Sequence, residues 1–409
     1  MNQNVQPDRD SSGKRRQDDN GSGNSNDGDA GVSLLTKRLR TSSFAHQPTA
    51  QTCRSSSPPR TGIAASSYTV AWICAIPCEL AAAMAMLDEE HPYLQDQSED
   101  DSNHYTLGSI SGHNVAIACL PTPQYGNVNA ANVLTNLRRT FPSIRTCLMV
   151  GVGAGVPSRD ADIRLGDVVV GIRVMPYELG KVGADGEIQQ INSPVSPEPS
   201  LGTLLSTIRA KHDRAPSRIP SIMHDRFPAQ LGYTRPNQPD RLFSASYEHV
   251  MIGVSKQGEE DDKSNSNRHF ETGIADPCEK CDGAKVHQRP ARISTAPNIH
   301  YGAIGSGEKL MKNGSQRDSL ARKLDVICFE MESAGLMSVM RCLPIRGICD
   351  YADTHKNKRW QKYAAAVASA YARELLEIMP VALSETQRAK SSQKVDPSKF
   401  TSCLTTPLC

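Results

Sequence analysis

The sequence lacks long apolar runs, and it has no large excess of either charge. No window of about eighteen consecutive residues is apolar, which argues against a transmembrane helix. The net charge is +2 and 22% of the residues are charged, so the composition predicts neither a nucleic-acid-binding nor a membrane-binding surface. The polar N-terminus also lacks the apolar segment of a secretory signal.

The twelve cysteines do not have the spacing of a disulfide framework. They are scattered, and several lie inside apolar runs, where cysteine behaves as a small hydrophobic residue. We therefore expect reduced thiols and an intracellular, cytoplasmic protein. Basic clusters at 14–16 and 37–40 leave nuclear import as the minority interpretation.

Composition divides the chain into three parts. Residues 1–66 are poor in large apolar side chains and cannot bury enough surface to offset their ordering entropy, so they predict a disordered tail. Residues 68–380 predict the folded domain. Within it, a Pro- and Ser-rich insertion at 181–297 is expected to run mostly over the surface. Residues 384–409 predict a loose C-terminal tail.

Within 68–380, apolar strand-like runs alternate with amphipathic helical segments. Strands are predicted at 68–76, 105–110, 114–120, 146–152, 165–171, 325–329 and 345–349. Helices are predicted at 79–87, 126–140, 200–212 and 359–379. This alternation predicts an α/β fold, a three-layer αβα domain with a central mixed sheet.

Alternating glycines, Gly151, Gly153 and Gly155, follow the predicted strand at 146–152. Glycine lets backbone N–H groups approach an anion or a ribose oxygen, so we predict a Gly-rich turn that contacts a ligand. The segment lacks the dinucleotide-binding spacing, and no Gly-Lys-Ser/Thr follows it. A tight structural turn is the alternative.

Carboxylates follow three predicted strands, at the position where open α/β sheets bind ligands. Glu79 comes just after the first strand, and Glu330 and Glu332 follow the run at 325–329. Asp350 directly follows the last strand. One such carboxylate could hold a ribose diol, and a buried, protonated Asp could act as a general acid. Helix capping is the structural alternative for these acids.

A single Cys-x-x-Cys pair, Cys278 and Cys281, has His249 and His287 nearby in the sequence. Such residues could bind zinc, but one cysteine pair with this histidine spacing fits no standard finger. We therefore predict free thiols in a surface loop, with no metal and no cofactor.

Two segments carry a family resemblance: 329–337 reads FEMESAGLM, and 346–353 reads RGICDYAD. With 299–307 and 356–365, they resemble the nucleoside phosphorylase/uridine phosphorylase superfamily. The most similar members are fungal domains that often precede NACHT, ankyrin or tetratricopeptide regions. The chain also resembles methylthioadenosine/S-adenosylhomocysteine nucleosidases, and the resemblance implies the fold predicted above.

The resemblance also implies residue roles. Asp350 matches the acid that protonates purine N7, Glu332 the clamp on the ribose hydroxyls, and Glu79 the glutamate that activates water. Further substrate-binding residues implied by the resemblance are Met331, Glu330, Ser306, Gly151, Gly153 and Gly155. Residues 75–79 read AIPCE, without the phosphate-binding arginine of the related phosphorylases. This departure favours hydrolysis over phosphorolysis.

Together these features predict an enzyme that cleaves the N-glycosidic bond of a purine nucleoside or nucleotide. Three alternatives stay open: a phosphate-dependent phosphorylase, an ATP-type nucleosidase effector domain and a non-catalytic nucleoside-sensing module. The resemblance further implies a homo-oligomer. We expect no nucleic-acid partner and no membrane partner.

Overall fold

The structure is a computed structural model that describes residues 62–94, 96–178, 180–182, 188–190, 193–250 and 276–381. Most of the predicted N-terminal tail, the predicted C-terminal tail and residues 251–275 of the predicted insertion therefore lie outside the described residues. Within the described ranges, no helix combines the length and apolarity needed to cross a bilayer.

The strands lie close to the apolar runs seen in the sequence. They are β1 (Val70–Cys74), β2 (Glu89–Glu90), β3 (Tyr105–Ile110), β4 (His113–Cys119), β5 (Thr146–Gly155), β6 (Val168–Pro176), β7 (Gly180–Val182), β8 (Ile188–Gln190), β9 (Ile299–Ser306), β10 (Val326–Glu330) and β11 (Leu343–Asp350). The helices are α1 (Pro77–Met84), α2 (Asn127–Thr140), α3 (Pro199–His212), α4 (Ile219–Arg226), α5 (Gly314–Leu324), α6 (Ser333–Val339) and α7 (Gln361–Ile378).

Nine of the described strands form one sheet, in the order β10-β9-β6-β11-β5-β1-β4-β3-β2. Strand β5 is parallel to β1 and β11, whereas β11 is antiparallel to β6. Strand β10 also pairs antiparallel with the end of β5, so this part of the sheet curls back on itself. The predicted mixed sheet is confirmed, and the curl brings the ends of β5, β10 and β11 together.

Helices cover both faces of the sheet. Helices α1, α3, α4 and α7 pack against one face, and α2 and α6 pack against the other. Helix α7 lies close to β11 because Gly347 has no side chain: a Cβ there would lie 1.9 Å from the Ala364 carbonyl oxygen. The predicted three-layer αβα architecture is confirmed.

A tight hairpin joins the antiparallel strands β3 and β4. Ser111 and Gly112 both have positive φ, 50° and 84°, as a two-residue turn of this hand requires.

The segment 181–297 contains two helices that pack on the main core. Helix α3 lies close to the predicted helix at 200–212, and its Leu201, Leu205 and Ile208 are buried. Helix α4 was not predicted, and because its Ile219 and Ile222 are buried, the surface prediction is wrong for that part of the segment.

Candidate functional site

The glycines of 151–155 lie in strand β5, not in a turn. Gly151 pairs with Arg346 and Gly153 with Ile348 on β11, while Gly155 pairs with Cys328 on β10. None of the three has a positive φ. The predicted Gly-rich turn is therefore wrong, because β5 continues to Gly155 between two partner strands.

Close side-chain contacts explain these glycines. A Cβ on Gly151 would lie 2.4 Å from Glu79 Oε1, and a Cβ on Gly153 would lie 2.7 Å from Cys328 Sγ. A Cβ on Gly155 would lie 2.9 Å from Ile348. The glycines thus make room for neighbouring side chains, and Gly151 makes room for a predicted catalytic residue.

Glu79 is buried at the start of α1, directly beyond β1. Its Oε2 accepts hydrogen bonds from the backbone N–H groups of Ala75 and Ile76, at 2.7 and 3.2 Å. Its Oε1 accepts one from Val152 N–H at 2.8 Å. Burial raises the pKa of Glu79, while Arg346 and these N–H groups act in the opposite direction. The carboxyl group therefore connects the ends of β1 and β5.

A buried ion pair lies beside Glu79. The Arg346 guanidinium is fully buried and pairs with Glu330 through Nη2. Burial alone would lower the pKa of Arg346, but Glu330, Glu332 and Glu79 raise it above its ordinary value. Arg346 therefore stays charged and holds these acids together.

Glu330 is occupied by this ion pair and by the start of α6. It accepts hydrogen bonds from the backbone N–H groups of Glu332 and Ser333 and from the Ser333 hydroxyl. These contacts give Glu330 a positioning role in the geometry described, whereas the resemblance implied that it binds substrate.

Glu332 is equally buried but has weaker partners. Its Oε1 accepts one backbone hydrogen bond, from Gly126 N–H at 3.4 Å, and its Oε2 lies 3.5 Å from Arg346 Nη2. The pKa of Glu332 is raised to about 8. Burial is the largest cause, and the charges of Glu330 and Glu79 act in the same direction, whereas Arg346 acts to lower the pKa. This carboxyl group keeps acceptor capacity that the protein does not use.

Ser306, at the end of β9, is buried against the start of α6. Its hydroxyl donates to Asn127 Oδ1 at 3.1 Å and accepts from Ala334 N–H at 2.9 Å. These contacts attach α6 to α2, so Ser306 positions the helix that follows Glu332. Met331, between the two glutamates, is partly exposed.

Asp350 ends β11 and is buried, as the sequence predicted. Its Oδ2 lies 2.9 Å from Lys356 Nζ, and its Oδ1 accepts a hydrogen bond from Ala352 N–H at 3.0 Å. In this geometry Asp350 is paired with a cation. The adjoining cavity is ≈ 40 Å³, whereas ligand pockets usually measure about 300–1,000 Å³. The cavity beside Asp350 is thus smaller than a usual nucleoside pocket.

Sequence reasoning assigned no role to Arg346 or Lys356. Arg346 interrupts a continuous apolar strand, and an arginine that is buried in this way needs acidic partners, so its position was the available indication. Lys356 lies in an irregular loop, and only the fold shows that it turns back to Asp350.

The structure also gathers three residues considered for zinc. Cys281 Sγ lies 3.2 Å and Cys278 Sγ 3.9 Å from His249 Nδ1. His287 is exposed and is not part of this group. Both cysteines are free, as predicted, but Cys278 is buried and not at the surface.

Comparison with known proteins gave these similarities. No protein-family model matches the chain. A nucleotide-binding leucine-rich repeat (NLR)-like protein of Hyaloscypha variabilis is 41% identical over 326 residues, 78% of this chain. The chain spans 30% of that relative's length. A 5′-methylthioadenosine/S-adenosylhomocysteine nucleosidase of Mycobacterium bovis is 24% identical over 321 residues, 77% of this chain and 98% of the enzyme.

The predicted resemblance to these nucleosidases is confirmed. Among solved structures, the methylthioadenosine/S-adenosylhomocysteine nucleosidase of Neisseria meningitidis, in complex with methylthio-immucillin-A, is 16% identical with a TM-score of 0.46. The match covers 76% of this chain and 99% of that enzyme.

Proposed function

We propose that this chain is an enzyme that hydrolyses the N-glycosidic bond of a purine nucleoside or nucleotide. The observation that carries the proposal is the position of Glu79, Glu332 and Asp350, which are buried where β1, β10 and β11 end. Sequence similarity to a nucleosidase along almost the whole of that enzyme supports the same reaction class.

Glu332 is the proposed ribose clamp. A carboxyl group offers about four acceptor positions, and the protein supplies this one with a single backbone donor at 3.4 Å and a distant guanidinium. Two ribose hydroxyls would supply the missing donors. Glu330 accepts a hydrogen bond from Glu332 N–H and pairs with Arg346, so the backbone that carries the clamp is held in place.

Glu79 is the proposed base. Of its two oxygens, Oε2 already accepts two N–H groups, whereas Oε1 accepts one and keeps an acceptor position for water. Its raised pKa makes it a stronger base than an exposed glutamate. Water would add to C1′ of the sugar and give its proton to Glu79.

Asp350 is the proposed acid. As the C1′–N9 bond breaks, its electron pair passes to the purine, and Asp350 donates a proton to N7. In the described structure Asp350 Oδ2 is paired with Lys356 Nζ at 2.9 Å. Substrate entry would separate this pair, and Asp350 would take the proton that it donates from solvent.

Hydrolysis is preferred to phosphorolysis because of the charges around Glu79. Within the described part of the chain, the cation that interacts with Glu79 is Arg346, and its ion pair with Glu330 already neutralises it. A phosphate dianion beside the Glu79 and Glu330 carboxylates would be repelled.

The test is chromatographic detection of free base from adenosine, inosine, methylthioadenosine and ATP, with and without phosphate. We expect free base and free sugar independent of phosphate, and about a 10²–10⁴-fold loss of rate in Asp350→Asn. Asp325→Asn is the control because the Asp325 side chain is exposed and, among the described residues, forms an ion pair with Arg173 at the surface.

Two results would contradict the proposal. Ribose 1-phosphate formed only in the presence of phosphate would make the protein a phosphorylase. Binding of these compounds without turnover, equal in wild type and Asp350→Asn, would make it a sensing module.

A further inference from the structure

We propose that His249, Cys278, Cys281 and His355 form a zinc site. The first three already place one donor atom each within 4.8 Å of one another. Two ligands bound tetrahedrally at about 2.3 Å (sulfur) and 2.0–2.1 Å (nitrogen) lie about 3.6 Å apart. The two sulfur-to-Nδ1 distances, 3.2 and 3.9 Å, lie on either side of that value.

His355 supplies the independent observation. It is 8% exposed, and neither ring nitrogen has a hydrogen-bond partner among the described residues. Its nearest acid, Asp353, has Oδ2 3.8 Å from Nδ1. A buried imidazole without partners is costly, and a metal ion would satisfy it.

His355 lies beside these three residues and is the proposed fourth ligand, although its ring nitrogens lie outside their 4.8 Å group. Its ring centroid lies 5.4 Å from that of His249, and the two rings are nearly perpendicular. Two imidazoles on one tetrahedral zinc ion have centroids about 5 Å apart. Phe243 and Tyr247 stack on His355 and hold its ring in place.

Two thiolates and two imidazoles are a donor set that suits Zn²⁺, whereas Mg²⁺ and Ca²⁺ require oxygen ligands. Four protein ligands close the coordination sphere, which is the arrangement of a structural site. The metal would therefore hold parts of the chain together and would not take part in the reaction.

The metal would connect the segment of Cys278 and Cys281 to the loop after β11. His249 already contacts this loop, since its N–H donates to Thr354 Oγ1 at 2.8 Å. His355 lies next to Lys356, the partner of Asp350. If the proposed function holds, zinc thus anchors the loop whose Lys356 pairs with the proposed acid.

The site is tested by metal analysis of the full chain, purified without a polyhistidine tag and without added metal. We expect about one zinc per chain by elemental mass spectrometry, lost in Cys278→Ser and Cys281→Ser. His355→Ala should lose zinc to a chelator at least tenfold more readily. His224→Ala is the matched control, because its side chain is 89% exposed, and it should retain zinc fully.

A second measurement needs no variant that could fail to fold. Co²⁺ added to chelator-treated wild type should give thiolate-to-cobalt charge-transfer absorption and tetrahedral d–d bands. Absence of both zinc and these bands, or a Cys278–Cys281 disulfide in protein prepared under reducing conditions, would overturn the proposal. None of these readouts depends on turnover, so failure of the proposed activity would leave this result intact.

Discussion

Two buried carboxylates in this molecule have opposite electrostatic environments. Asp167, just before β6, is 1% exposed, and Glu332, just before α6, is 5% exposed. Asp167 accepts five hydrogen bonds: two from Arg292 and one each from His300, Asn298 N–H and Arg164 N–H, all at 2.6 to 3.0 Å. Glu332 has one backbone donor at 3.4 Å and shares Arg346.

The pKa values of Asp167 and Glu332 differ because of their hydrogen-bond and charge partners, and not because of their burial. Burial acts to raise the pKa of Asp167, but Arg292 and His300 hold it below its usual value. The pKa of Glu332 rises to about 8 because its partners do not compensate for desolvation. A fully bonded buried acid stabilises the fold, whereas an incompletely bonded one keeps capacity for a ligand.

The largest expected effect is on stability. Asp167→Asn leaves Arg292 without its buried counter-ion and should lower the free energy of unfolding by about 3–5 kcal/mol. Glu332→Gln replaces a carboxyl group that is largely protonated at neutral pH with a neutral group of the same shape, so we expect a loss below about 1 kcal/mol. Urea denaturation at pH 7 measures both.

Asp325→Asn is the matched control, since Asp325 is 86% exposed and its ion pair should contribute about 0–1 kcal/mol. Equal losses in Asp167→Asn and Glu332→Gln would remove the distinction between the two sites.

The pH dependence of stability should have opposite signs at the two sites. Folding lowers the pKa of Asp167. The stability that Asp167 contributes is therefore fully present when the pH is above the ordinary aspartate pKa, and it is lost as the pH falls through the folded-state pKa. For Glu332, stability is fully present below about pH 4.3, the unfolded value, and declines as the pH rises towards about 8.

We therefore expect Glu332→Gln to flatten the decline of stability between about pH 5 and pH 8, and Asp167→Asn to leave that decline in place. Urea titrations at four or five pH values measure the slopes. An unchanged slope in Glu332→Gln would mean that Glu332 is ionised in the folded protein throughout this range.

Local sequence patterns predicted the features that depend on residues close together in the sequence. The apolar runs predicted the strands, and acids at the strand ends predicted that Glu79, Glu330 and Asp350 would lie at that edge of the sheet. The role of Asp167 had no local indication, because Arg292 and His300 come more than a hundred residues later. The pairing of β10 with the end of β5 also had no local indication in the sequence. For that reason the sequence wrongly predicted a turn at the glycines of 151–155.

The last comparison is between two glycines. A Cβ on Gly151 would lie 2.4 Å from Glu79 Oε1, and Glu79 cannot retreat without losing its bond to Val152 N–H. We expect Gly151→Ala to cost about 1–3 kcal/mol of stability by overpacking and to slow base release by displacing Glu79. Gly202, in α3, has nothing within 4 Å of its Cβ position, so Gly202→Ala should stabilise by about 0.5–1 kcal/mol. If Gly151→Ala were as stable and active as wild type, Glu79 would not need its observed position.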